Sequence, residues 1–272
     1  MLRRDVLAQR PFTCVLAAGY FGYGSHAGFL AALEDRGLRP QRVVGTSAGS
    51  LAGTLWAAGR SAYDLVEAMA RIRPRDFWDV GPLLPLGVFR GKKFKRLVAD
   101  LLPAGVRDLE DCALPVGVGI HDVFRWRYEV LSSGEITSAL HASCALPGLF
   151  QPARVRGRWA LDGGVSDPRG LSALAPDEFA VFHALIKSDP LPEPSPTRWD
   201  LGVEEIPQAG PFKPQRTVDA FHHVRAAAGA WLDAPAPESP GAPRPRSEAA
   251  PAHPQRAAGV PPAGAPAAPR VD

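Results

Sequence analysis

Ser47 stands in the run Gly45-Thr46-Ser47-Ala48-Gly49, directly after the strand-like Arg42-Val43-Val44 and before Ala48 to Ala58, which is apolar nearly all round. That is the context a nucleophile elbow requires: small neighbours let strand and helix approach, and the hydroxyl is presented at a helix N-terminus, where developing negative charge is favoured. A glycine-rich strand-to-helix turn can also carry a serine by chance. Upstream, Gly19-Tyr20-Phe21-Gly22-Tyr23-Gly24 follows another apolar run. Backbone N–H groups in such a loop can converge on an oxyanion, or equally on a phosphate. The nucleotide alternative expects an acidic ribose-binding residue at the end of the second strand, where this chain carries the serine turn instead. Third, Leu161-Asp162-Gly163-Gly164 puts a carboxylate at the end of a short strand, a pattern that also suits an Asp-Gly hairpin turn.

Together the three motifs resemble the patatin-like phospholipase family. Its pattern is a glycine-rich loop, a GxSxG elbow soon after, and a DGG or DGA triplet more than a hundred residues on. Ser47 and Asp162 are 115 residues apart, and the segment Ala142-Ser143-Cys144-Ala145-Leu146-Pro147-Gly148-Leu149-Phe150-Gln151-Pro152 is similar to the family's approach to its catalytic strand. The resemblance runs from about Phe12 to Leu171. It implies a serine acyl hydrolase in which Ser47 attacks an ester carbonyl and Asp162 is the base. Backbone amides around Gly19, Tyr20, Phe21 and Gly22, with that of Ala48, would hold the oxyanion. Gly45 and Gly49 shape the elbow, and Gly163 and Gly164 complete the DGG triplet. No cofactor is implied. A carboxylate with its ordinary pKa of roughly 4 is a weak base toward an alcohol, so a dry pocket that raises its basicity is expected. The chain departs from the pattern where Ala17 and Ala18 replace common glycines and Phe21 replaces a frequent basic residue. His26 and Gly28 are displaced by one position.

Other residues compete for the same roles. A Ser-Asp-His order is formally available through His183, His222 and His223, although His183 lies in an apolar run that suits a core histidine. Asp167 reads as a turn residue beside the DGG triplet. The histidines, cysteines and carboxylates show no metal-ligand spacing. The segment from Phe77 to Arg96 is apolar, then basic. That order suits either a lipid-docking lid or a stretch wrapping the sheet, and the second reading is preferred.

The elements that must position these groups alternate. Strands are expected over residues 12–18, 42–46, 115–120, 126–131 and 179–186. Helices are expected over 25–35, from Ser61 to before Pro74, and over 92–102, 138–145 and 217–232. Apolar runs separated by helices give a single three-layer α/β/α domain around a mostly parallel sheet. Residues 189–214 are proline-rich but carry Trp199, Leu201, Val203, Ile206 and Phe212, which suggests an ordered connection. The domain is expected to span 1–232, followed by a disordered Pro/Ala-rich tail over 233–272.

Composition narrows the class further. Of 272 residues, 46% are hydrophobic and the formal charge is +3, too small to argue for nucleic acid. Cys14, Cys112 and Cys144 are odd in number and widely separated, which fits reduced thiols and a cytoplasmic setting. Arg3 and Arg4 before the apolar Cys14 to Phe21 loosely imitate a signal peptide, but glycines break that stretch and a buried first strand fits it better. No stretch reaches the roughly 18–20 apolar residues of a membrane span, so any membrane contact is expected to be peripheral. The expected partner is a lipid or other acyl ester. The competing class is a catalytically silent member of the same fold that binds lipid or protein.

Overall fold

In the computed structural model, the described residues are 1–84, 87–185, 191–210, 212–213 and 215–237, with the side chains of 82–84 excepted. The elements are, in chain order, α1 (Arg3–Gln9), β1 (Thr13–Leu16), α2 (Tyr23–Glu34), β2 (Arg42–Thr46), α3 (Ala48–Ala57), α4 (Ala62–Arg71), α5 (Pro74–Phe77), β3 (Val80–Leu84), β4 (Gly87–Phe89), α6 (Lys92–Leu101), β5 (Val116–Asp122), β6 (Arg127–Leu131), α7 (Ile136–Ser143), β7 (Gly148–Phe150), β8 (Ala153–Val155), β9 (Arg158–Asp162), β10 (Ala180–Ala184), β11 (Arg198–Gly202) and α8 (Gln215–Leu232).

The central sheet runs β11-β10-β1-β2-β5-β9-β8, with β6 also paired to β5. From β11 to β5 every pairing is parallel; β5 with β6, β5 with β9, and β9 with β8 are antiparallel. The inner parallel strands β1, β2, β5 and β10 are buried nearly throughout and read as near-continuous apolar runs because both their faces are covered. Along β1, Cys14 and Leu16 join the main core with Val43, Val181 and the buried faces of α2, α3 and α8, while Val15 and Ala17 join Phe182 in a second cluster. Leu171, Leu174 and Leu191 cover that second cluster, so the layer on this face is thin over β1 and β10. Helices α2 and α3 are buried along almost their whole length, which is why their sequences show no polar stripe. Ser61 caps α4 by accepting from the amide of Asp64, as the spacing predicts, and α4 stops before Pro74.

Several elements depart from the expectations. A further parallel edge strand, β11, lies inside the proline-rich connection and buries Trp199 and Leu201 between the partly exposed Arg198 and Asp200. Strands β3, β4 and β7 form a separate three-stranded sheet; each spans only three to five residues, too short for a periodic signal. The apolar face of α6 enters the main core through Phe94 and Val98, and Phe94, Leu97, Val98 and Leu101 also line a cavity described below. The expected tail begins in structure. Asp233 accepts from Arg4 and Arg36, Ala234 accepts from the amide of Arg3, and Ala236 donates to the carbonyl of Met1. The rest of that tail, 238–272, lies outside the described residues, as do Ile186 at the end of the expected last strand and Leu86. Cys14, Cys112 and Cys144 are free thiols. Among the described residues, no helix is long and apolar enough to cross a membrane.

Candidate active site

The site is built where one edge of β5 changes partner. β2 pairs with β5 in parallel register up to Thr46 opposite Gly119. At the next residue β9 takes over, antiparallel, with Asp162 opposite Ile120. β6 occupies the other edge along this whole stretch, so β2 and β9 meet end to end on the same side. Ser47 follows directly on Thr46, and Asp162 ends β9. The sheet therefore brings two residues distant in sequence to one point.

At that point the Ser47 hydroxyl donates to Asp162 Oδ2 at 2.6 Å. Ser47 has φ 52° and ψ −119°, a region that L residues rarely occupy and that costs of order 1–3 kcal/mol. The surroundings over-determine it. The Ser47 amide donates to Ser143 Oγ at 2.9 Å, and Ser143 Oγ in turn donates to the Gly119 carbonyl at 2.6 Å. Ser50 Oγ donates to the Ser47 carbonyl at 2.6 Å. Gly45 and Gly49 allow the close approach the turn needs: a Cβ on Gly45 would stand 2.4 Å from Gly49 backbone, and one on Gly49 would stand 2.3 Å from the Leu16 carbonyl oxygen. Ser143 and Ser50 were not singled out by sequence reasoning. The sequence signal for Ser143 was weak, because the helical segment leading to Pro147 also carries Thr137, Ser138 and His141.

Asp162 is 3% exposed. Its Oδ1 accepts from the Gly164 amide at 2.8 Å, and its own amide donates to the Ala145 carbonyl at 3.0 Å. Burial disfavours the charged carboxylate and pushes the pKa up to about 6, against the opposing hydrogen bonds from Ser47 and Gly164. A Cβ on Gly163 would meet the Gly119 carbonyl oxygen at 2.6 Å, so the DGG triplet lies flat against β5. Cys144 lies beside the pair, and burial raises its thiol pKa, followed by the Asp162 charge. Both effects disfavour its thiolate, the nucleophilic form.

The glycine loop forms the opposite wall. Ala18, Gly19, Tyr20 and Phe21 line the same cavity as Ser47, Ala48, Asp162 and Gly164. Phe21 takes a left-handed φ of 55°. The Ala18 amide donates to the Pro168 carbonyl and the Gly22 amide to the Gly19 carbonyl, so both already have acceptors. Gly22 is the N-cap of α2. The amides of Gly19, Tyr20, Phe21 and Ala48 carry no hydrogen bond to another described residue.

None of the alternative histidines touches the pair. His183 is fully buried and hydrogen-bonded to His26. His222 and His223 are exposed on α8, and His223 bonds the Glu204 carbonyl. Asp167 is a turn residue that accepts from the amides of Arg169, Gly170 and Ser172. Among the described residues no group of three or more His, Cys, Asp or Glu is placed to hold a metal ion.

The cavity has a volume of about 600 Å³ and a mostly apolar lining, with Ser47 and Asp162 among its few polar side chains. Leu51, Met69 and Phe77 form part of its depth together with the inner face of α6, and Tyr20, Leu146 and Val165 stand at 56%, 39% and 41% exposure on its lining.

The sequence profile of the patatin-like phospholipases matches residues 14–175, the stretch holding the elbow, the loop and the DGG triplet. The chain belongs to the patatin-like phospholipase family. Its fold is the patatin fold, with a mainly parallel central sheet. Among similar proteins, an uncharacterised NTE-family protein of Mycobacterium bovis is 28% identical over 58% of this chain and 44% of its own length. Lysophospholipase NTE1 of Yarrowia lipolytica is 29% identical over 66% of this chain and 13% of its own length. Patatin-like phospholipase domain-containing protein 6 of Mus musculus is 30% identical over 58% of this chain and 12% of its own. The chain thus spans less than half the length of these curated relatives. Among solved structures, VipD from Legionella pneumophila matches with a TM-score of 0.49 at 14% identity, covering 82% of this chain and 67% of that one.

The raised carboxylate pKa predicts the pH dependence of any reaction that uses Asp162 as a base. The base form dominates above about pH 6, so kcat/KM is expected to be flat above about 7 and to fall about tenfold per unit below about pH 6. A pH profile on an ester with a non-titrating leaving group checks this. Stability runs the other way. The folded state holds the Asp162 proton up to about pH 6 and the unfolded chain only to about 3.8, so this residue's contribution declines by about 3 kcal/mol as pH rises through that window.

Proposed function

We propose that this protein is a serine lipid acyl hydrolase, a phospholipase A, lysophospholipase or carboxylesterase, that works through an acyl-Ser47 intermediate with Asp162 as base. The observation that carries this reading is the 2.6 Å bond from the Ser47 hydroxyl to a buried carboxylate of raised pKa, at the wall of an apolar cavity of about 600 Å³. Ser47 Oγ attacks the ester carbonyl carbon as its proton passes to Asp162 Oδ2. The oxyanion is held by the amides of Gly19, Tyr20 and Phe21 on one side and Ala48, at the start of α3, on the other. Asp162 returns the proton to the departing alcohol, which leaves the acyl group on Ser47. A water molecule then gives its proton to Asp162 and attacks the acyl carbonyl, and the proton goes back to Ser47 as the acid leaves. Membership of the family and the lysophospholipase name of the Yarrowia relative support lipid esters as the substrate class.

The cavity's lining favours long acyl chains, since each methylene moved out of water contributes about 0.8 kcal/mol. The exposed Tyr20, Leu146 and Val165 would meet the lipid surface first and support peripheral membrane contact. The test is turnover of p-nitrophenyl esters from acetate to palmitate, with fatty acid release from lysophosphatidylcholine alongside. kcat/KM is expected to rise by about tenfold or more from the two-carbon to the eight-carbon ester. A folded protein that hydrolyses none of them would instead be the silent, lipid- or protein-binding form of the fold.

A further inference from the structure

Two fully buried histidines lie behind the glycine loop and take no part in the proposed reaction. His26, on α2, and His183, on β10, approach Nδ1 to Nδ1 at 2.9 Å, with their rings nearly perpendicular at 88°. His26 Nε2 lies 2.8 Å from the carbonyl oxygen of Ala17, the residue two before Gly19. The Ala17 amide donates to the His183 carbonyl, so both polar groups of Ala17 are held by this pair. His183 stacks on Phe29, and its Nε2 is buried with no partner among the described residues.

These contacts fix where the protons are. A carbonyl oxygen only accepts, so His26 Nε2 carries the proton. Burial lowers the pKa of both rings, that of His26 to about 4, so both are neutral at ordinary pH. A neutral ring protonated on Nε2 has a bare Nδ1, and a 2.9 Å contact to that atom requires the proton to come from His183 Nδ1. His183 Nε2 is then the bare atom, in agreement with the absence of any partner among the described residues, since orphaned buried N–H groups are rarer than under-satisfied acceptors.

We infer that His26 is a positioning residue for the oxyanion loop, and that His183 acts through it by selecting the one tautomer able to hold Ala17. The relay ties the end of β1 to α2 and β10 at the point where the chain turns from strand into loop. The same carbonyl backs the elbow, because a Cβ on Gly49 would lie 2.7 Å from the Ala17 oxygen. A shift of Ala17 would therefore move the loop amides relative to Ser47, and a displacement near 1 Å costs about 100-fold in rate. The inference rests on the oxyanion role proposed above for Gly19 to Phe21.

The test compares full-length wild type with His26→Gln, which keeps an N–H near the place of Nε2, His26→Leu, which removes it, and His183→Phe, which keeps the stacking on Phe29 and removes the donor. The readouts are kcat and KM on p-nitrophenyl butyrate, melting temperature, and imidazole 15N NMR at pH 7.5. His26→Leu is expected to lower kcat by about 10- to 100-fold with KM within about twofold, and His26→Gln to stay within about threefold of wild type. His183→Phe is expected to lower kcat by less than His26→Leu and to leave His26 in mixed tautomers. Among the seven histidines, the resonances assigned to His26 and His183 are expected to show His26 protonated on Nε2 and His183 on Nδ1. Equal losses for Gln and Leu, an unchanged kcat in His26→Leu, or a His183 ring protonated on Nε2 would overturn the relay. Should His26→Leu fail to fold, the His183→Phe rate and the wild-type spectrum decide. A wild type with no turnover would contradict the acyl hydrolase reading, while the spectrum would still test the tautomers.

Discussion

Asp162→Asn is expected to lower turnover of an activated ester by about 10³–10⁴-fold while leaving the protein folded. The substitution is nearly isosteric, so the cavity and the Ala145 contact of the Asp162 amide stay in place. What it removes is the proposed acceptor for the Ser47 proton. An amide oxygen can still receive one hydrogen bond, but the second donor aimed at this side chain, the Ser47 hydroxyl or the Gly164 amide, loses its partner. The effect on stability separates chemistry from damage. The ionised carboxylate is held unfavourably above about pH 6, so a neutral replacement is expected to be at least as stable as wild type at pH 8. Calorimetry beside the turnover assay checks both halves. Near wild-type turnover in Asp162→Asn would remove Asp162 from the mechanism.

Gly49→Ala carries the next largest effect, through packing rather than chemistry. The added methyl would lie 2.3 Å from the Leu16 carbonyl oxygen and 2.7 Å from that of Ala17. β1 cannot withdraw, because it is paired to β10 on one side and β2 on the other. Overpacking of this kind costs about 1–3 kcal/mol, and contact with backbone on both sides places this case at the upper end. The strain must move either the start of α3, which carries Ser47, or the strand end that leads to the glycine loop. Turnover is expected to fall by at least about 100-fold. Gly210→Ala is the control, since a Cβ there meets no described residue within 4 Å, and it is expected to stay within about 0.5 kcal/mol of wild type. Urea titration of both variants is the measurement.

What the chain discloses without its structure follows from physics that is local. The elbow is legible because a strand run, a small-residue turn and an all-round apolar helix are contiguous from Arg42 to Ala58. The parallel half of the sheet is legible because strands buried on both faces read as unbroken apolar runs. The pairing that assembles the site is not local. Nothing in Arg158 to Asp162 announces that β9 will continue along the β5 edge vacated by β2; that depends on where β2 bends away at Ser47. Ser143 stayed hidden for a related reason, since its value lies in a carbonyl of β5 and an amide of the elbow, both far off in sequence. β11 left a usable trace. Trp199 and Leu201 alternate with Arg198 and Asp200, a period of two that the surrounding prolines obscured. Histidine 183 was legible as a core residue from its apolar run, but its partner His26 was not, because α2 brings it there from 157 positions away.

The most direct measurement is intact-protein mass spectrometry after treatment with a fluorophosphonate, followed by peptide mapping, on wild type and Ser47→Ala. The account predicts a single adduct on the peptide holding Ser47 in the wild type, formed faster above about pH 6 than below it, and none in Ser47→Ala. An adduct that persists in Ser47→Ala, or a folded wild type that turns over esters yet never labels at Ser47, would contradict it.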